Sequence, residues 1–271
     1  MSQRTTKVVK DMQRKLILIL AIILIMGLAG TAFGSAPIIT AHRGASSLAP
    51  ENTLAAVQKA LELGVPWIEV DVHRTRDRVL VVLHDETVDR TTNGTGPINQ
   101  LTYAEVAKLD AGSWFSPEFS GEPIPTLEEV LLACRGQATV LIELKGTLTE
   151  RPTIELVREL EMEDQVVIQS FDHIMVGKAK QRAPEIPAFI LIRQDLTPQA
   201  MVNTALYYGA DGIGVRHNFL TEELVEVAHE NGLVVFPWTV DNPEDMLNYL
   251  QMGVDGIITN YPQVLQEILT N

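Results

Sequence analysis

The sequence predicts an α/β fold, a (β/α)8 or TIM barrel with a small subdomain inserted after its second strand. Beyond residue 36, eight short apolar runs typical of β-strands alternate with amphipathic segments typical of helices. The chain has 271 residues, and such barrels need about 250. Eight strand–helix units without a nucleotide-type glycine loop favour a closed barrel over the alternative, an open doubly wound sheet.

The first 36 residues form a separate segment with the character of a targeting signal. Five basic residues precede an uncharged stretch at 16–33, and small residues follow it. This order is typical of a secretory signal peptide, and the stretch approaches the roughly 20 residues that span a bilayer. We therefore expect residues 1–36 to be a signal peptide or an N-terminal membrane anchor. The domain at 37–271 is then extracytoplasmic: secreted, periplasmic or anchored by an uncleaved helix.

The strands and helices of the domain are predicted from apolar periodicity, helix-capping residues and glycines. The predicted strands are Ile38–Ala41, Trp67–Val72, Thr139–Leu144, Val166–Ser170, Ala188–Ile192, Gly212–Val215, Leu233–Thr239 and Gly256–Thr259. The predicted helices are Thr53–Leu63, Thr126–Ala133, Arg151–Glu161, Ile174–Ala183, Pro198–Tyr208, Glu222–Asn231, Pro243–Met252 and Pro262–Thr270. Several of these helices begin at a residue that favours the N-cap, namely Thr53, Thr126, Thr221 and Asn242.

The connection after the second strand, residues 73–125, is too long for a simple loop. It contains a strand-like run at Val79–Leu83, a Thr/Gly-rich turn at 91–96 and a short helix near Tyr103–Leu109. We interpret it as an inserted subdomain. Insertions at the carboxyl ends of barrel strands lie over the active-site mouth.

Composition limits the partners of the chain. Apolar residues make up 46% of it, enough for a large core, and the formal net charge is −14. Such an acidic balance argues against a nucleic-acid partner. The single cysteine, Cys134, excludes a disulfide within the chain and is expected to be a buried structural thiol.

Three acidic residues fall on the predicted inner face of the barrel. Glu69 and Asp71 are two apart on the second strand, and Glu143 repeats the pattern on the third. Carboxylates there would repel one another unless a hard divalent ion such as Mg²⁺, Ca²⁺ or Mn²⁺ compensated them. The alternative is a buried salt-bridge network that pairs Lys145 with Glu143 and Arg43 with Glu69.

Two histidines flank this acidic cluster and are candidates for proton transfer. His42, followed by Arg43, ends the first strand, and His84 follows the apolar run of the insertion. His217, at the mouth after the sixth strand, is a candidate substrate contact. His73 is expected to point away from the inner face. The remaining histidines, expected to be structural, are His173 and His229.

Seven short motifs follow one another along the domain. They are His-Arg-Gly (42–44) with Pro-Glu-Asn-Thr (50–53), Glu-Val-Asp-Val (69–72), His-Asp-Glu-Thr-Val-Asp-Arg-Thr-Thr-Asn-Gly-Thr-Gly (84–96), Glu-Leu-Lys (143–145), Trp-Thr-Val (238–240) and Asp-Gly-Ile-Ile-Thr-Asn-Tyr-Pro (255–262). Together and in this order, they resemble those of the glycerophosphodiester phosphodiesterases. The resemblance runs from Ile38 to the end of the chain, with no departure at the catalytic positions.

The resemblance implies a TIM barrel with an inserted subdomain, one divalent metal ion (Ca²⁺ or Mg²⁺) and two catalytic histidines. It implies that His42 and His84 are the general acid and base. The implied metal ligands are Glu69, Asp71 and Glu143. The implied phosphate contacts are Arg43 and Lys145, with Glu51 in support and Trp238 against the glycerol end.

The implied reaction is the hydrolysis of a small-molecule glycerophosphodiester to sn-glycerol 3-phosphate and an alcohol. One alternative keeps the fold but acts on lysophospholipids, a lysophospholipase D-type reaction, which the N-terminal segment could assist by membrane attachment. A second alternative is a non-catalytic extracytoplasmic protein that binds phosphate. The presence of both His42 and His84 argues against it, because binding alone does not need two proton carriers.

Overall fold

The structure, a computed structural model, describes residues 36–270. The predicted signal peptide or anchor, apart from its last residue, lies outside this range. Between residues 36 and 270, no helix combines the length and apolar character needed to cross a bilayer.

Parallel strands form the predicted barrel. The strands of the described chain are β1 (Ile38–Ala41), β2 (Trp67–Arg74), β3 (Leu80–Val82), β4 (Thr139–Leu144), β5 (Val166–Ser170), β6 (Ala188–Ile192), β7 (Gly212–Arg216), β8 (Val234–Trp238) and β9 (Gly256–Thr259). Around the barrel the order is β1, β2, β4, β5, β6, β7, β8, β9, and β9 pairs with β1. Backbone hydrogen bonds from Asp255 to Val235 and from Val240 to Ile258 link the β8 and β9 segments. The barrel is therefore nearly closed, and the open sheet is excluded.

Helices follow the barrel strands and cover their outer faces. They are α1 (Leu54–Glu62), α2 (Tyr103–Val106), α3 (Leu127–Cys134), α4 (Glu150–Glu159), α5 (His173–Arg182), α6 (Pro198–Tyr208), α7 (Glu222–Glu230), α8 (Pro243–Gln251) and α9 (Pro262–Thr270). The predicted caps are confirmed: the side chains of Thr53, Thr126, Thr221 and Asn242 accept hydrogen bonds from first-turn N–H groups. These bonds satisfy donors that have no partner inside the helix.

The interior of the barrel is packed with side chains below the mouth. A buried apolar cluster inside it consists of Leu141, Val167, Phe189, Phe236 and Ile258. Trp67, at the start of β2, stacks on Phe236 with ring centroids 5.3 Å apart. Cys134 is buried between helix and barrel, and burial raises the pKa of its thiol to about 12. The interior is therefore a core rather than a channel.

The chain between β2 and α3 builds the insertion. β3 pairs antiparallel with the end of β2, and α2 follows it. The insertion has its own buried cluster, formed by Val81, Leu83, Val88, Ile98, Val106, Ala111 and Ile124. β2 continues to Arg74, past the predicted end at Val72, because residues 72–74 pair with β3.

Candidate active site

The predicted site residues converge at the carboxyl ends of the barrel strands. Most of them line a cavity of about 70 Å³. Those that line it are His42, Arg43, Glu69, His84, Glu143, Lys145 and Trp238. Asp71 is fully buried beside them, and Glu51 contacts Arg43. Barrel closure thus brings together residues that are up to 196 positions apart in the sequence.

Three carboxylates form the centre of the site. Glu69 and Asp71 lie on β2 and Glu143 on β4, where Asp71 and Glu143 are register partners. One oxygen from each lies within 4.8 Å of the other two. All three side chains are buried, and Oε1 of Glu69 accepts no hydrogen bond from the described residues. Because buried carboxylates repel one another and lose hydration, the cluster needs compensating positive charge.

Burial and mutual repulsion separate the pKa values of the three carboxyls. Burial and the negative charges of Asp71 and Glu143 raise the pKa of Glu69 well above its usual range. Burial and the charge of Asp71 raise the pKa of Glu143 to about 7. Burial would also raise the pKa of Asp71, but Lys145 and Arg43 outweigh it and lower that pKa. Asp71 therefore holds the negative charge most firmly.

Two cations partly neutralise the carboxylates. The ammonium nitrogen of Lys145 lies 2.8 Å from Glu143 Oε1 and 3.2 Å from Asp71 Oδ1. Arg43 Nε lies 3.4 Å from Asp71 Oδ2. The pair of Lys145 and Glu143 considered from the sequence is present. Arg43, however, binds Glu69 only through its backbone N–H, 2.9 Å from Oε2.

A tight turn after β1 aims this backbone N–H at Glu69. Arg43 has a left-handed backbone with φ of 57°, and Gly44 follows at φ of 79°. A Cβ on Gly44 would lie 2.6 Å from the carbonyl carbon of Ala56, so only glycine fits there. The His-Arg-Gly motif therefore has a backbone role as well as a side-chain role.

His42 is held by a neutral amide. Its Nδ1 lies 2.7 Å from Oδ1 of Asn260, whose amide nitrogen donates to Asp241 at 2.7 Å. Because Asp241 fixes the amide, its oxygen faces the ring and Nδ1 carries the proton. Burial, with the charge of Arg43, lowers the pKa of His42 to about 4. The Nε2 atom of a neutral His42 is thus free to accept a proton.

His84 is held by a carboxylate. Its Nδ1 lies 2.7 Å from Oδ1 of Asp85. Arg90 donates to both oxygens of Asp85, at 2.7 and 3.1 Å, and to both oxygens of Glu51, at 2.9 and 2.8 Å. The hydrogen bonds from Arg90 lower the pKa of Asp85 to about 2 despite partial burial. Since Glu51 also binds Arg43 at 2.7 Å, one ionic chain joins the insertion to the turn after β1.

The expectation for His73 was wrong. Residues 69, 71 and 73 alternate along β2 and share one face, so His73 does not point away from Glu69 and Asp71. Its ring is buried, and Nε2 lies 3.2 Å from the backbone oxygen of His84. His73 therefore supports the segment that carries His84.

Aromatic side chains form the far side of the cavity. Trp238, at the end of β8, packs edge-on against Phe171 with ring centroids 5.3 Å apart. The indole N–H of Trp238 is buried without a hydrogen-bond partner among the described residues. It is therefore a free donor at the edge of the cavity.

Several functional contacts were missed by sequence reasoning. Asn52 donates to Asp71 Oδ2 at 2.8 Å and accepts from its backbone N–H at 3.1 Å. Asp85, Arg90 and Asn260 support the two histidines, as described above. All four lie inside the motifs that carry the family resemblance, but a motif does not reveal which partner each side chain meets across the barrel.

A (β/α)8 barrel with buried carboxylates, two imidazoles and two cations at its mouth has the features of a phosphodiester hydrolase. The glycerophosphoryl diester phosphodiesterase family matches residues 42–264 of the chain. The chain belongs to this family. The resemblance predicted from its motifs is therefore confirmed, as is its classification as an enzyme.

Relatives named as glycerophosphodiester phosphodiesterases match over most of their length. A glycerophosphodiester phosphodiesterase of Caldanaerobacter subterraneus is 43% identical over 235 residues, 84% of this chain and 96% of that protein. One from Bacillus subtilis is 36% identical over 251 residues, 84% of this chain and 85% of that protein. The barrel as a whole, rather than an isolated motif, is shared.

Solved structures share the fold. A glycerophosphodiester phosphodiesterase of Agrobacterium tumefaciens has a TM-score of 0.76 at 34% identity, covering 84% of this chain and 98% of its own. A phosphodiesterase of Oleispira antarctica, in complex with the product sn-glycerol-3-phosphate, has a TM-score of 0.82 at 29% identity. That match covers 87% of this chain and 97% of its own.

The donor set fits a divalent cation. Glu69, Asp71 and Glu143 offer only carboxylate oxygens, which Mg²⁺ and Ca²⁺ prefer. The unpartnered Oε1 of Glu69 is the atom that the neighbouring cations leave uncompensated. This acidic group could therefore hold the metal ion that the sequence predicts.

Proposed function

We propose that the enzyme hydrolyses glycerophosphodiesters to sn-glycerol 3-phosphate and an alcohol, with His42 as general base and His84 as general acid. The observation that carries this proposal is the difference between the partners of the two rings. Nδ1 of His42 lies against the neutral amide oxygen of Asn260, whereas Nδ1 of His84 lies against the carboxylate of Asp85. A neutral His42 suits removal of a proton from the nucleophile, which leaves His84 to protonate the leaving alkoxide.

The cations of the site would stabilise the phosphoryl group as charge builds on its oxygens. Arg43 and Lys145 line the cavity beside both histidines. A divalent ion held by Glu69, Asp71 and Glu143 would add further positive charge there. Preorganised positive charge of this kind favours the transition state over the ground state.

Trp238 would position the glycerol part of the substrate. It lines the catalytic cavity, and its unpartnered indole N–H can donate to a hydroxyl oxygen. The cavity of about 70 Å³ has room for one small group rather than both substituents of a diester.

The experiment that tests the acid–base assignment uses two leaving groups. His42→Ala and His84→Ala would be compared on glycerophosphocholine and on the p-nitrophenyl diester of glycerol phosphate, with added Ca²⁺ or Mg²⁺ and with chelator. Because nitrophenolate leaves without protonation, His84→Ala should recover activity on the second substrate. His42→Ala should remain inactive on both.

The opposite pattern of rescue would reverse the two roles. Full activity of both variants on glycerophosphocholine would refute the mechanism. Metal-independent release of sn-glycerol 3-phosphate would refute the divalent ion.

A second candidate substrate class is the lysophospholipids. Apolar side chains are exposed where loops leave neighbouring strands: Leu148, after β4, is 59% exposed, and Ile174, after β5, is 57% exposed. Such residues could contact an acyl chain. If so, Leu148→Asn with Ile174→Ser would lower turnover of lysophosphatidylcholine but not of glycerophosphocholine. Equal turnover before and after the change would refute this candidate.

We also propose that residues 1–36 direct the barrel out of the cytoplasm. The support is the order of basic, apolar and small residues in the sequence. Fractionation of cells that express a C-terminally tagged chain would test this. A full-length product in the cytoplasm would refute export, whereas a membrane-bound or shortened extracytoplasmic product would distinguish anchor from signal peptide.

A further inference from the structure

A second, larger cavity opens beside the catalytic cavity. It has a volume of about 320 Å³ and is lined by Arg193, Arg216, His217, Trp238 and Thr239. We call it the annex. Trp238 and Thr239 line both cavities, so the annex adjoins the site where the phosphate is expected to bind.

The annex carries positive charge and no carboxylate in its lining. Within residues 36–270, neither Arg193 nor Arg216 forms an ion pair, although the chain has a net charge of −14. The guanidinium of Arg193 lies 5.2 Å from the ring centroid of Phe171, a cation–π contact that leaves its N–H groups free. His217 binds Tyr249 through Nδ1 at 3.2 Å. Two unpaired arginines in an acidic protein form a site suited to an anion.

The annex lies across the mouth from the carboxylates. In the order of the barrel, β7 is four strands from β2, and β8 is four strands from β4. A diester held at Glu69, Asp71 and Glu143 could therefore direct one substituent across the mouth. Glycerol would fill the small catalytic cavity, so the alcohol portion has the annex as its nearest space.

We propose that the annex binds the alcohol portion of the substrate and selects alcohols that carry a second anionic group. That group is a phosphate monoester or a carboxylate, the two anions that an arginine fork matches. Arg193 and Arg216 would be substrate-binding residues that determine specificity. This inference rests on the proposed glycerophosphodiester hydrolysis.

The test uses pairs of substrates that differ by one anionic group. Glycerophosphoserine carries a carboxylate that glycerophosphoethanolamine lacks, and glycerophosphoglycerol would be compared with its terminal phosphate monoester. With the full chain, we expect kcat/KM to be about tenfold or more higher for the anionic member of at least one pair. The pair with the larger ratio would identify the anion. High salt should reduce the ratio, because the arginines are exposed.

The variants Arg193→Gln, Arg216→Gln and their combination should remove this preference by lowering kcat/KM more for the member of each pair that carries the additional anionic group. Arg193→Lys with Arg216→Lys should keep part of it, which separates loss of charge from loss of folding. Arg182→Gln, at the end of α5 away from the mouth, is the matched control and should change nothing.

Turnover of all four diesters without anionic preference would overturn the annex proposal alone. An equal loss of kcat/KM in the glutamine variants for substrates with and without the additional anionic group would overturn it as well. Failure to hydrolyse any diester would overturn the proposed function and this inference with it.

Discussion

The two sides of the barrel mouth differ in how their charges are arranged. On the side of β1, β2 and β4, Arg43 and Lys145 lie within 3.4 Å of carboxylate oxygens. On the side of β6, β7 and β8, Arg193 and Arg216 form no ion pair with any described residue. On the first side, the carboxylates hold Arg43 and Lys145 in place before substrate binds, as transition-state stabilisation requires. The second side has two unpaired arginines, which are available to bind an anionic ligand.

The largest expected effect comes from removing the uncompensated charge of Glu69, on the side of the mouth formed by β1, β2 and β4. Glu69→Gln should lower kcat/KM by about 10³-fold or more, because a proposed metal ligand is lost. In chelator, its Tm should be equal or higher by roughly 2–4 °C, since a repelled buried charge is gone. We expect Ca²⁺ or Mg²⁺ to raise the Tm of the wild type, and this rise should disappear in Glu69→Gln. Activity assays and thermal melts with and without metal measure both.

Glu150→Gln is the control for this change. Glu150 is also buried, but it begins α4 and does not line the catalytic cavity. The rise in its Tm on addition of metal, and its activity, should match those of the wild type. A Glu69→Gln protein that keeps its metal-induced shift would contradict the metal site.

Substitution of Arg90 tests whether catalysis on the side of the mouth formed by β1, β2 and β4 depends on the insertion. Arg90→Gln removes the hydrogen bonds to Asp85 and Glu51, so we expect kcat to fall by about 10- to 100-fold with little change in KM. Arg90→Lys should recover only part of this, because an ammonium cannot bind two carboxylates in forked geometry. Steady-state kinetics measures kcat and KM separately for each variant.

Arg76→Gln is the matched control, since Arg76 is an exposed arginine of the insertion that pairs with Glu105. Its kinetics should stay within about twofold of the wild type. If Arg90→Gln raised KM and left kcat unchanged, Arg90 would be a binding residue rather than a positioning one.

Trp238 lies at the boundary between the two sides. Trp238→Phe keeps an aromatic ring but removes the unpartnered indole N–H, so KM for glycerophosphocholine should rise about tenfold. Trp114→Phe is the control, because its indole N–H donates to the backbone of Ala111. An unchanged KM in Trp238→Phe would mean that this donor does not contact the substrate.

The smallest effect is expected outside both sides. The hydrogen bond from His229 to Asp255, at 2.9 Å, raises the pKa of His229 above its usual value despite partial burial. Its stabilisation is therefore complete below the unfolded-state pKa of about 6.5 and is lost as pH rises through the higher folded-state pKa. Because His229 is 42% exposed, we expect this hydrogen bond to contribute less than about 0.5 kcal/mol to the free energy of unfolding.

Urea unfolding of wild type and His229→Gln between pH 5.5 and about 8.5 measures this difference. The two proteins should differ most at low pH and converge at high pH. A difference in the free energy of unfolding that increased with pH would contradict the raised pKa of His229.

Much of the fold was predictable because its signals are local. Five barrel strands, including β4 and β5, begin and end at the predicted residues, since each is a short run of mainly apolar residues that is visible in the sequence itself. β2 was predicted too short, because its last residues are held by β3 and not by their own pattern. His73 was misjudged because its alternation with Asp71 was read with the wrong parity.

The sequence by itself determined the eightfold alternation, the family and the identity of the site residues. These follow from periodicity and from motifs, which are properties of short segments. Only the tertiary structure decided which side chains meet. Asn260 reaches His42 from 218 residues away, and Arg90 joins Asp85 to Glu51. The arginines of the annex lie at the carboxyl ends of the neighbouring strands β6 and β7, but no motif links them. Such contacts depend on barrel closure, which brings distant strand ends together with a geometry that no local segment encodes.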